Sequence, residues 1–267
     1  MKTITFRNGN WEERASLEPT HEVLTGQGAF ETILVKEKTP QFLDLHLERL
    51  RKSSEILSID TSDCEKFISG IKRLLSFHHD APGRLRITVY RGAPSPQIML
   101  SLVDIEQSVA HVCVNISPWT RNENSAITGA KSVSYAENVV ALDRAKKAGF
   151  DETLFFNNAG KLAEAATSNI VIVVDGEAIT PPLNSGCLPG ITRQVLLELG
   201  VMREVSIDAE TLGRASAAAL LSSIRGVQPI FLVGVRQLNS LDEVLQHLTE
   251  VYAARTDQDK ENWAKLQ

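Results

Sequence analysis

Lys131-Ser-Val-Ser-Tyr135-Ala-Glu-Asn138 opens the stretch of sequence that decides the fold of this chain. The stretch continues as Gly160-Lys-Leu-Ala-Glu164-Ala-Ala-Thr-Ser168-Asn169 and ends as Leu188-Pro-Gly190-Ile191-Thr192-Arg193. It supplies a lysine, a carboxylate and a helix start led by glycine. A cofactor that carries an aldehyde, a pyridinium ring and a phosphate needs these groups. The lysine can form a Schiff base with the aldehyde, the carboxylate can hold the pyridinium, and the helix start can bind the phosphate. The stretch therefore predicts a site for such a cofactor.

These motifs resemble the class IV aminotransferase family, whose members are fold type IV enzymes that depend on pyridoxal 5'-phosphate (PLP). Residues 131–138 are similar to the family pattern Lys-Thr/Ser-x-Asn-Tyr-x-x-Asn, with serine in place of the first asparagine. The resemblance runs from Gly26-Gln-Gly28-Ala-Phe30-Glu31-Thr32 to Ser222-Ser223-Ile-Arg-Gly226-Val-Gln-Pro229. It implies a two-lobed α+β fold of the D-amino-acid aminotransferase type. A small N-terminal α/β lobe is expected at residues 1–108, and a larger C-terminal PLP-binding lobe with a barrel-like sheet at residues 109–267.

The composition narrows the class of protein. A formal net charge of -5 at pH 7 with no basic block disfavours a nucleic-acid partner. The three cysteines, Cys64, Cys113 and Cys187, form no Cys-x-x-Cys pair, which favours free thiols in a reduced compartment. We find no signal-peptide pattern and no apolar run of the roughly 20 residues that a membrane span requires. We therefore expect a cytoplasmic protein without a membrane partner and, since the histidines show no paired-ligand spacing, without a metal.

Hydrophobic periodicity predicts the order of strands and helices. Alternating or short buried apolar runs predict strands at residues 29–35, 84–92, 97–103, 112–116, 152–156, 169–174, 178–179, 219–222 and 230–233. Apolar stripes of helical period predict helices that begin near Asp44, Thr61 or Ser62, Val139, Ile191 and Ser240. Asn8-Gly9-Asn10 predicts a hairpin turn and Arg121 to Gly129 a polar connector. The final dozen residues are polar, and we expect them to fray.

The resemblance implies a role for each reactive group. Lys131 would form the Schiff base with PLP and later act as the base, whereas without the motif it would be interpreted as a surface lysine. Glu164 would pair with the pyridine nitrogen and keep it protonated, with support from Ser168 and Asn169. Tyr135 would hydrogen-bond the ring hydroxyl, although a core tyrosine is an open alternative. Together these residues would make the ring an electron sink.

The resemblance also implies a phosphate site. Arg49 lies in a segment that matches the family's His-x-x-Arg-Leu, and its guanidinium fork suits a dianion, although by itself it would be interpreted as a solvated helix arginine. The backbone amides of Ile191 and Thr192, the Thr192 hydroxyl and Ser223 would complete the site. Neither the P-loop nor the Rossmann glycine pattern is present, which disfavours a nucleotide phosphate.

Within the family, the short chain and its segments at 84–92 and 222–227 look most like 4-amino-4-deoxychorismate lyase. That resemblance implies conversion of 4-amino-4-deoxychorismate to 4-aminobenzoate and pyruvate, a step of folate biosynthesis, through a Lys131 Schiff base and a quinonoid. The side chains expected to meet the substrate, any of which could instead be solvated, are Phe30, Arg84, Arg86, Arg91 and Arg225.

Two other functions remain open. One is a PLP-dependent aminotransferase of branched-chain or D-amino acids, although the Arg-x-His pair of the D-amino-acid enzymes is missing after Tyr90-Arg91-Gly92. The Gly-Thr-Ala of branched-chain enzymes is replaced by Leu221-Ser222-Ser223. The other is a non-catalytic PLP-binding scaffold, which is disfavoured because a binder needs no electron sink. Relatives in the family are homodimers, so we expect a homodimer that acts on a small amino substrate.

Overall fold

The computed structural model describes residues 1–7, 9–13, 16–92, 95–106 and 112–265. The chain divides into two compact units of mixed helix and strand. The first comprises Met1–Gln107, Ala130–Ser134 and Gln258–Gln267, and the second comprises Ser108–Gly129 and Tyr135–Asp257. The predicted boundary at residues 108 and 109 lies outside the described residues, and so does residue 8 of the predicted hairpin turn.

The first unit is built on an antiparallel sheet. Its described strands are β1 (Lys2–Arg7), β2 (Asn10–Glu12), β3 (Gly28–Lys36), β4 (Thr39–Pro40), β5 (Gly83–Tyr90) and β6 (Gln97–Asp104). Its described helices are α1 (His21–Leu24), α2 (Leu43–Ile56) and α3 (Cys64–Ser76). The strand order is β2-β1-β6-β5-β3-β4, and each of the described pairs is antiparallel.

Alternation along β5 gives this sheet one apolar face. Leu85, Ile87 and Val89 are buried and join a core that includes residues of α2 and α3. Arg84 and Arg86 lie on the opposite face, because successive side chains of a strand point to opposite sides. The alternation of apolar and polar residues that predicted the strand therefore also places the two arginines on one face, away from the core.

Two segments group with the first unit, in contrast to the prediction. Residues 130–134 lie beside β3, where the Phe30 N–H donates to the Lys131 carbonyl (2.9 Å) and the Val133 N–H to the Gly28 carbonyl (2.8 Å). The C-terminal segment, expected to fray, is helical to Lys265, and its Trp263 is buried in the first core. Residues 130–134 are held beside β3 by backbone hydrogen bonds. In the C-terminal segment, burial of the Trp263 side chain stabilises the helix, although the polar composition predicted fraying.

The second unit is built on a mixed sheet. Its described strands are β7 (Val112–Ile116), β8 (Glu152–Phe156), β9 (Leu162–Ala165), β10 (Asn169–Val174), β11 (Glu177–Thr180), β12 (Arg203–Glu204), β13 (Ala217–Ser222), β14 (Gly226–Val233) and β15 (Arg236–Gln237). Its described α-helices are α4 (Ala136–Lys147), α5 (Ile191–Glu198), α6 (Ala209–Arg214) and the greater part of α7 (Glu243–Lys265), and a short 3-10 helix covers Leu183–Ser185. The strand order is β12-β11-β10-β13-β14-β7-β8-β9, β15 pairs with β14, and β7 runs parallel to β8 and β14.

Strand β10 lies inside the second sheet, between β11 and β13. All of its residues are buried, as expected for a continuous apolar run that is covered on both faces. Its first residue, Asn169, is polar, and a buried polar side chain needs a hydrogen-bond partner. Across the described residues of both units, no helix combines the length and hydropathy that crossing a membrane requires.

Candidate active site

Lys131 lies beside β3 in the first unit, and its backbone is held on both sides. Its carbonyl accepts the Phe30 N–H (2.9 Å), and its own N–H donates to the Ser53 hydroxyl on α2 (3.0 Å). The side chain is half-buried, unlike an ordinary surface lysine, and its Nζ lies 4.5 Å from the centroid of the Phe30 ring. An amine whose backbone is fixed in this way can meet a bound aldehyde with little further loss of conformational entropy.

The Phe30 ring also contacts a second cation, Arg86. The guanidinium carbon of Arg86 lies 3.8 Å from the ring centroid, and its Nε donates to the Thr88 hydroxyl (3.2 Å). Thr88 is the cross-strand partner of Phe30 in the β3–β5 register, so the three side chains share one face of the sheet. Stacking on an aromatic ring holds a guanidinium in position. This face therefore offers an anchored cation for a substrate carboxylate.

The other two arginines predicted to meet the substrate in this unit are more exposed. Arg84 lies opposite Leu34 on the same face of β5 as Arg86, and its side chain is exposed. Arg91 follows the end of β5, is exposed, and donates its backbone N–H to the Gln27 carbonyl (2.9 Å). Of these three arginines, Arg86 is therefore the one that is held on an aromatic ring, the same ring that Lys131 Nζ contacts.

Arg49, predicted to bind the phosphate, lies in a buried cluster of charges in the first unit. Its Nε and Nη2 donate to the two carboxylate oxygens of Glu31 at 2.8 and 2.6 Å. His46 Nδ1 lies 2.7 Å from the same carboxylate, and all three side chains are almost fully buried. Burial alone would raise the pKa of Glu31, but the charge and hydrogen bonds of Arg49, with those of His46, lower it to about 2. Because Glu31 is ionised, His46 Nδ1 must donate its proton to it.

Glu164, predicted to pair with the pyridine nitrogen, is held by a network in the second unit. Its Oε2 accepts the Leu188 N–H (2.9 Å), and its Oε1 lies 3.4 Å from Nη2 of Arg121. The Asn169 side-chain amide donates to the Leu188 carbonyl (2.8 Å). The Leu188 peptide therefore connects two residues of the predicted cofactor set and fixes the turn that leads to Gly190.

The start of α5 fits a phosphate group. Gly190 is its N-cap residue, and no side-chain hydrogen bond caps the first-turn N–H groups at Ile191 and Thr192. Glycine is needed here, because a Cβ would lie 1.9 Å from Oδ1 of Asn169. The buried Thr192 hydroxyl donates to the Tyr252 hydroxyl (3.1 Å). A helix start without a side-chain cap, reached through glycine, is a binding site for anions, so these residues fit the phosphate of PLP.

Three more of the predicted cofactor residues lie in the second unit. The Tyr135 hydroxyl donates to the Ala166 carbonyl (2.9 Å), so while it makes this bond it can act toward a ring hydroxyl only as an acceptor. Ser168 accepts a hydrogen bond from Arg225 (3.1 Å), which brings a predicted cofactor residue and a predicted substrate residue together. Ser223 is half-buried in the turn between β13 and β14.

Arg225 also has other protein partners. Its guanidinium donates to the Thr167 hydroxyl (3.1 Å) and lies 3.8 Å from the buried carboxylate of Glu152. Glu152 in turn accepts the backbone N–H groups of Ala166 (3.1 Å) and Thr167 (3.2 Å). Arg225 therefore helps to fix the connection between β9 and β10, a role that the sequence did not predict.

Comparison with known proteins identifies the family. The family model for amino-transferase class IV matches residues 28–233 of the chain. The chain belongs to the class IV aminotransferase family. The aminodeoxychorismate lyase of Bacillus subtilis is 26% identical over 239 residues, which cover 82% of this chain and 80% of that protein. The branched-chain-amino-acid aminotransferase of Pseudomonas aeruginosa is 26% identical over 258 residues, which cover 86% of this chain and 83% of that protein.

The fold is also that of the family. A fold IV transaminase from Curtobacterium pusillum superimposes with a TM-score of 0.83 and 26% identity, covering 97% of this chain and 99% of that one. These matches confirm the predicted α+β fold class and a PLP-dependent enzyme of class IV. A lyase and an aminotransferase match the class IV chain at the same identity. Among the described residues, no three His, Cys, Asp or Glu side chains gather as a metal ion would require.

Three groups that contact the predicted residues within the two units were not predicted from the sequence. Glu31 could have been found, because an acid within the apolar run at residues 29–35 has to be paired once it is buried. Arg121 gave no such signal, since it lies in a polar connector where a charged residue is common. The Leu188 N–H is a backbone donor, and its contact with Glu164 depends on tertiary structure alone.

Replacing Gly190 with alanine is expected to destabilise the fold by about 1–3 kcal/mol, because the new methyl group would overlap Asn169. We also expect PLP to bind about ten-fold more weakly or worse, since the α5 start must shift. Chemical denaturation and absorbance titration with PLP measure the two effects. Gly213→Ala is the matched control, because no atom lies within 4 Å of its added Cβ. Unchanged PLP affinity in Gly190→Ala would exclude this helix start as the phosphate site.

Proposed function

We propose that this class IV enzyme is a lyase that converts 4-amino-4-deoxychorismate to 4-aminobenzoate and pyruvate. The observation that best supports the proposal is the stacking of Arg86 on Phe30, the ring that Lys131 Nζ also contacts. The substrate carries two carboxylates, and a guanidinium anchored on this ring provides a partner for one of them. An arginine fixed by an aromatic ring loses little entropy when it binds an anion, which favours this position over the exposed arginines nearby.

The residues of the second unit would orient the cofactor ring. Glu164 would accept the N–H of the ring nitrogen, and Tyr135 would lie next to the ring hydroxyl as an acceptor. Asn169 would keep the Leu188 turn in place through the bond to the Leu188 carbonyl. When bound, PLP supplies an aldehyde for amine exchange and a ring that delocalises the electron pair left by a departing proton.

The phosphate would be bound by groups that the sequence predicted. The backbone amides of Ile191 and Thr192 would supply donors at the α5 start, and Ser223 would add a hydroxyl. The Thr192 hydroxyl would join them by turning its proton from the Tyr252 hydroxyl to the phosphate. Arg49 would supply the positive charge, and its guanidinium is held rigid by the two hydrogen bonds to Glu31. A rigid cation and oriented backbone dipoles can stabilise a dianion without much reorganisation.

Lys131 would have two functions in this reaction. Its Nζ would hold the PLP aldehyde, and as a free amine it would take the proton from the carbon that bears the substrate nitrogen. Enolpyruvate leaves from the adjacent carbon and becomes pyruvate, so the six-membered ring becomes aromatic and every substrate atom appears in the two products. Arg86 would hold a substrate carboxylate so that the reacting carbon stays within reach of Lys131.

Two alternatives use the same residues. A PLP-dependent aminotransferase of branched-chain or D-amino acids would need Arg86 for a single carboxylate, and the relative from Pseudomonas aeruginosa favours this possibility. A non-catalytic PLP-binding scaffold is less well supported, because Glu164, which the Leu188 N–H and Arg121 hold in place, could pair with a ring nitrogen, and a binder needs no such acid. A homodimer and a cytoplasmic location remain predictions, and the exposed apolar side chains of Trp119 and Val140 support the first of them.

A paired assay separates the two catalytic functions. PLP-loaded protein is incubated with 4-amino-4-deoxychorismate, and separately with branched-chain or D-amino acids plus 2-oxoglutarate. We expect pyruvate and 4-aminobenzoate in equal amounts from the first mixture and at least about a hundred-fold slower formation of keto acid from the second, a difference of about 2.7 kcal/mol in transition-state stabilisation. Keto-acid formation without pyruvate release would establish the aminotransferase instead. The absence of both products would favour the scaffold.

A further inference from the structure

Arg121 is a closely held charged residue that the proposed reaction leaves without a role. It lies in the second unit just after β7, and its guanidinium stacks 4.4 Å from the centroid of the Phe155 ring. Its Nη1 donates to Oε2 of Glu137 (2.8 Å) and to Oδ1 of Asn138 (3.4 Å). Its Nη2 lies 3.4 Å from Oε1 of Glu164. The side chain is 12% exposed, so these contacts are largely shielded from water.

The geometry fixes Arg121 relative to Glu164. Phe155 on β8 is the cross-strand partner of Glu164 on β9, so the ring that supports the guanidinium and the acid that it faces lie on paired strands. The Leu188 N–H holds Oε2 of Glu164 from one side, and Arg121 lies against Oε1. Two contacts from different directions determine the plane of a carboxylate, whereas one contact would leave it free to rotate.

The charges around Glu164 favour its ionised form. A cation close to a carboxylate stabilises the carboxylate anion. Burial, followed by the nearby Glu164 charge, raises the pKa of Cys187 to about 11, so this neighbour remains a neutral thiol. Arg121 also forms a 2.8 Å ion pair with Glu137, so its charge is shared between two carboxylates. Its main effect on Glu164 is therefore to fix the position of the carboxylate.

We propose that Arg121 is a positioning residue that keeps Glu164 ionised and oriented toward the cofactor ring nitrogen. The inference rests on the proposed pairing of Glu164 with that nitrogen. Arg121 would act through Glu164 and would not touch the substrate. Removing it lets the carboxylate rotate away from the ring nitrogen, so the hydrogen bond that keeps this nitrogen protonated weakens and the ring becomes a weaker electron sink.

The test follows the protonation of the ring nitrogen in Arg121→Gln. Protein loaded with PLP labelled with 15N at that position is titrated by NMR, and the ring nitrogen is expected to deprotonate at a pH lower by about one or more than in the wild type. We also expect kcat to fall about 10–100-fold with little change in KM. Arg121→Lys retains the charge without the planar stacking, so we expect it to recover much of the NMR signal of the protonated nitrogen.

Two further variants make the result interpretable. Arg144→Gln is the matched control, because Arg144 also stacks on an aromatic ring in this unit, 5.3 Å from the centroid of Trp119, and is expected to leave the NMR titration unchanged. Glu164→Gln tests the pairing itself. If Glu164→Gln leaves the ring nitrogen unchanged, the proposed role of Glu164 is wrong. If Glu164→Gln shifts the titration of the ring nitrogen and Arg121→Gln leaves it unchanged, the inference about Arg121 alone is overturned. A shift of this titration to higher pH in Arg121→Gln would overturn it as well.

Discussion

Lys131→Ala is expected to lower turnover by at least about 10,000-fold, because one amine both binds the cofactor covalently and removes the substrate proton. The variant should still fold. The backbone hydrogen bonds of Lys131 with Phe30 and Ser53 remain, because alanine keeps that backbone, although the contact of Nζ with the Phe30 ring is lost. Borohydride reduction of the PLP-loaded wild type, followed by peptide mass spectrometry, should place the cofactor adduct on Lys131. The same treatment of the variant should yield no adduct at residue 131.

Lys161→Ala is the control for this prediction. Lys161 Nζ pairs with Asp208 at 3.2 Å, and its side chain is 40% exposed, so its loss should change turnover less than two-fold and stability by less than about 1 kcal/mol. An adduct on Lys161 or on another lysine in the wild type would remove Lys131 from the mechanism. Turnover of Lys131→Ala within ten-fold of the wild type would also exclude Lys131 as the reactive amine.

Glu31→Gln is expected to lower the free energy of unfolding by about 3–5 kcal/mol, because it leaves the buried guanidinium of Arg49 without its counter-charge. His46 would lose the same partner. Glu48→Gln provides a matched control on α2, since Glu48 pairs with Arg51 on the exposed surface and should cost less than about 1 kcal/mol. Urea denaturation of the three proteins at neutral pH measures the difference. Equal stabilities would show that the buried cluster contributes little to the fold.

The same pair predicts a pH dependence. The pKa of Glu31 falls from an ordinary value of 4.5 to about 2 in the folded protein, so its ionised form stabilises the native state above about pH 4.5. That stabilisation is lost as the pH falls from about 4.5 toward 2. We expect the wild type to lose more stability than Glu31→Gln over this interval, because the variant has no carboxylate to protonate. Parallel curves for the two proteins would contradict the assigned pKa.

The local chemistry of this protein could be read directly from its sequence. The pattern around Lys131 and the glycine before Ile191 indicated the family. Both motifs are short, so local backbone geometry places their functional groups and the sequence alone reveals them. The strand at Asn169–Val174 was predicted with the bounds observed, since a continuous apolar run bounded by turns has few other solutions. The helix at Ile191 followed from its apolar period and its leading glycine.

Only the tertiary structure decided which polar groups meet. Arg49 and Glu31 are 18 residues apart, and Arg225 and Ser168 are 57 apart. Their pairing depends on strand register and on which helix face packs on the sheet. Residues 130–134 joined the first unit through hydrogen bonds to an edge of β3, which no pattern within those residues indicates. The periodicity of apolar residues along a chain indicates the local backbone geometry and which face is apolar. The partner of a buried charge depends instead on contacts between segments that are distant in the sequence.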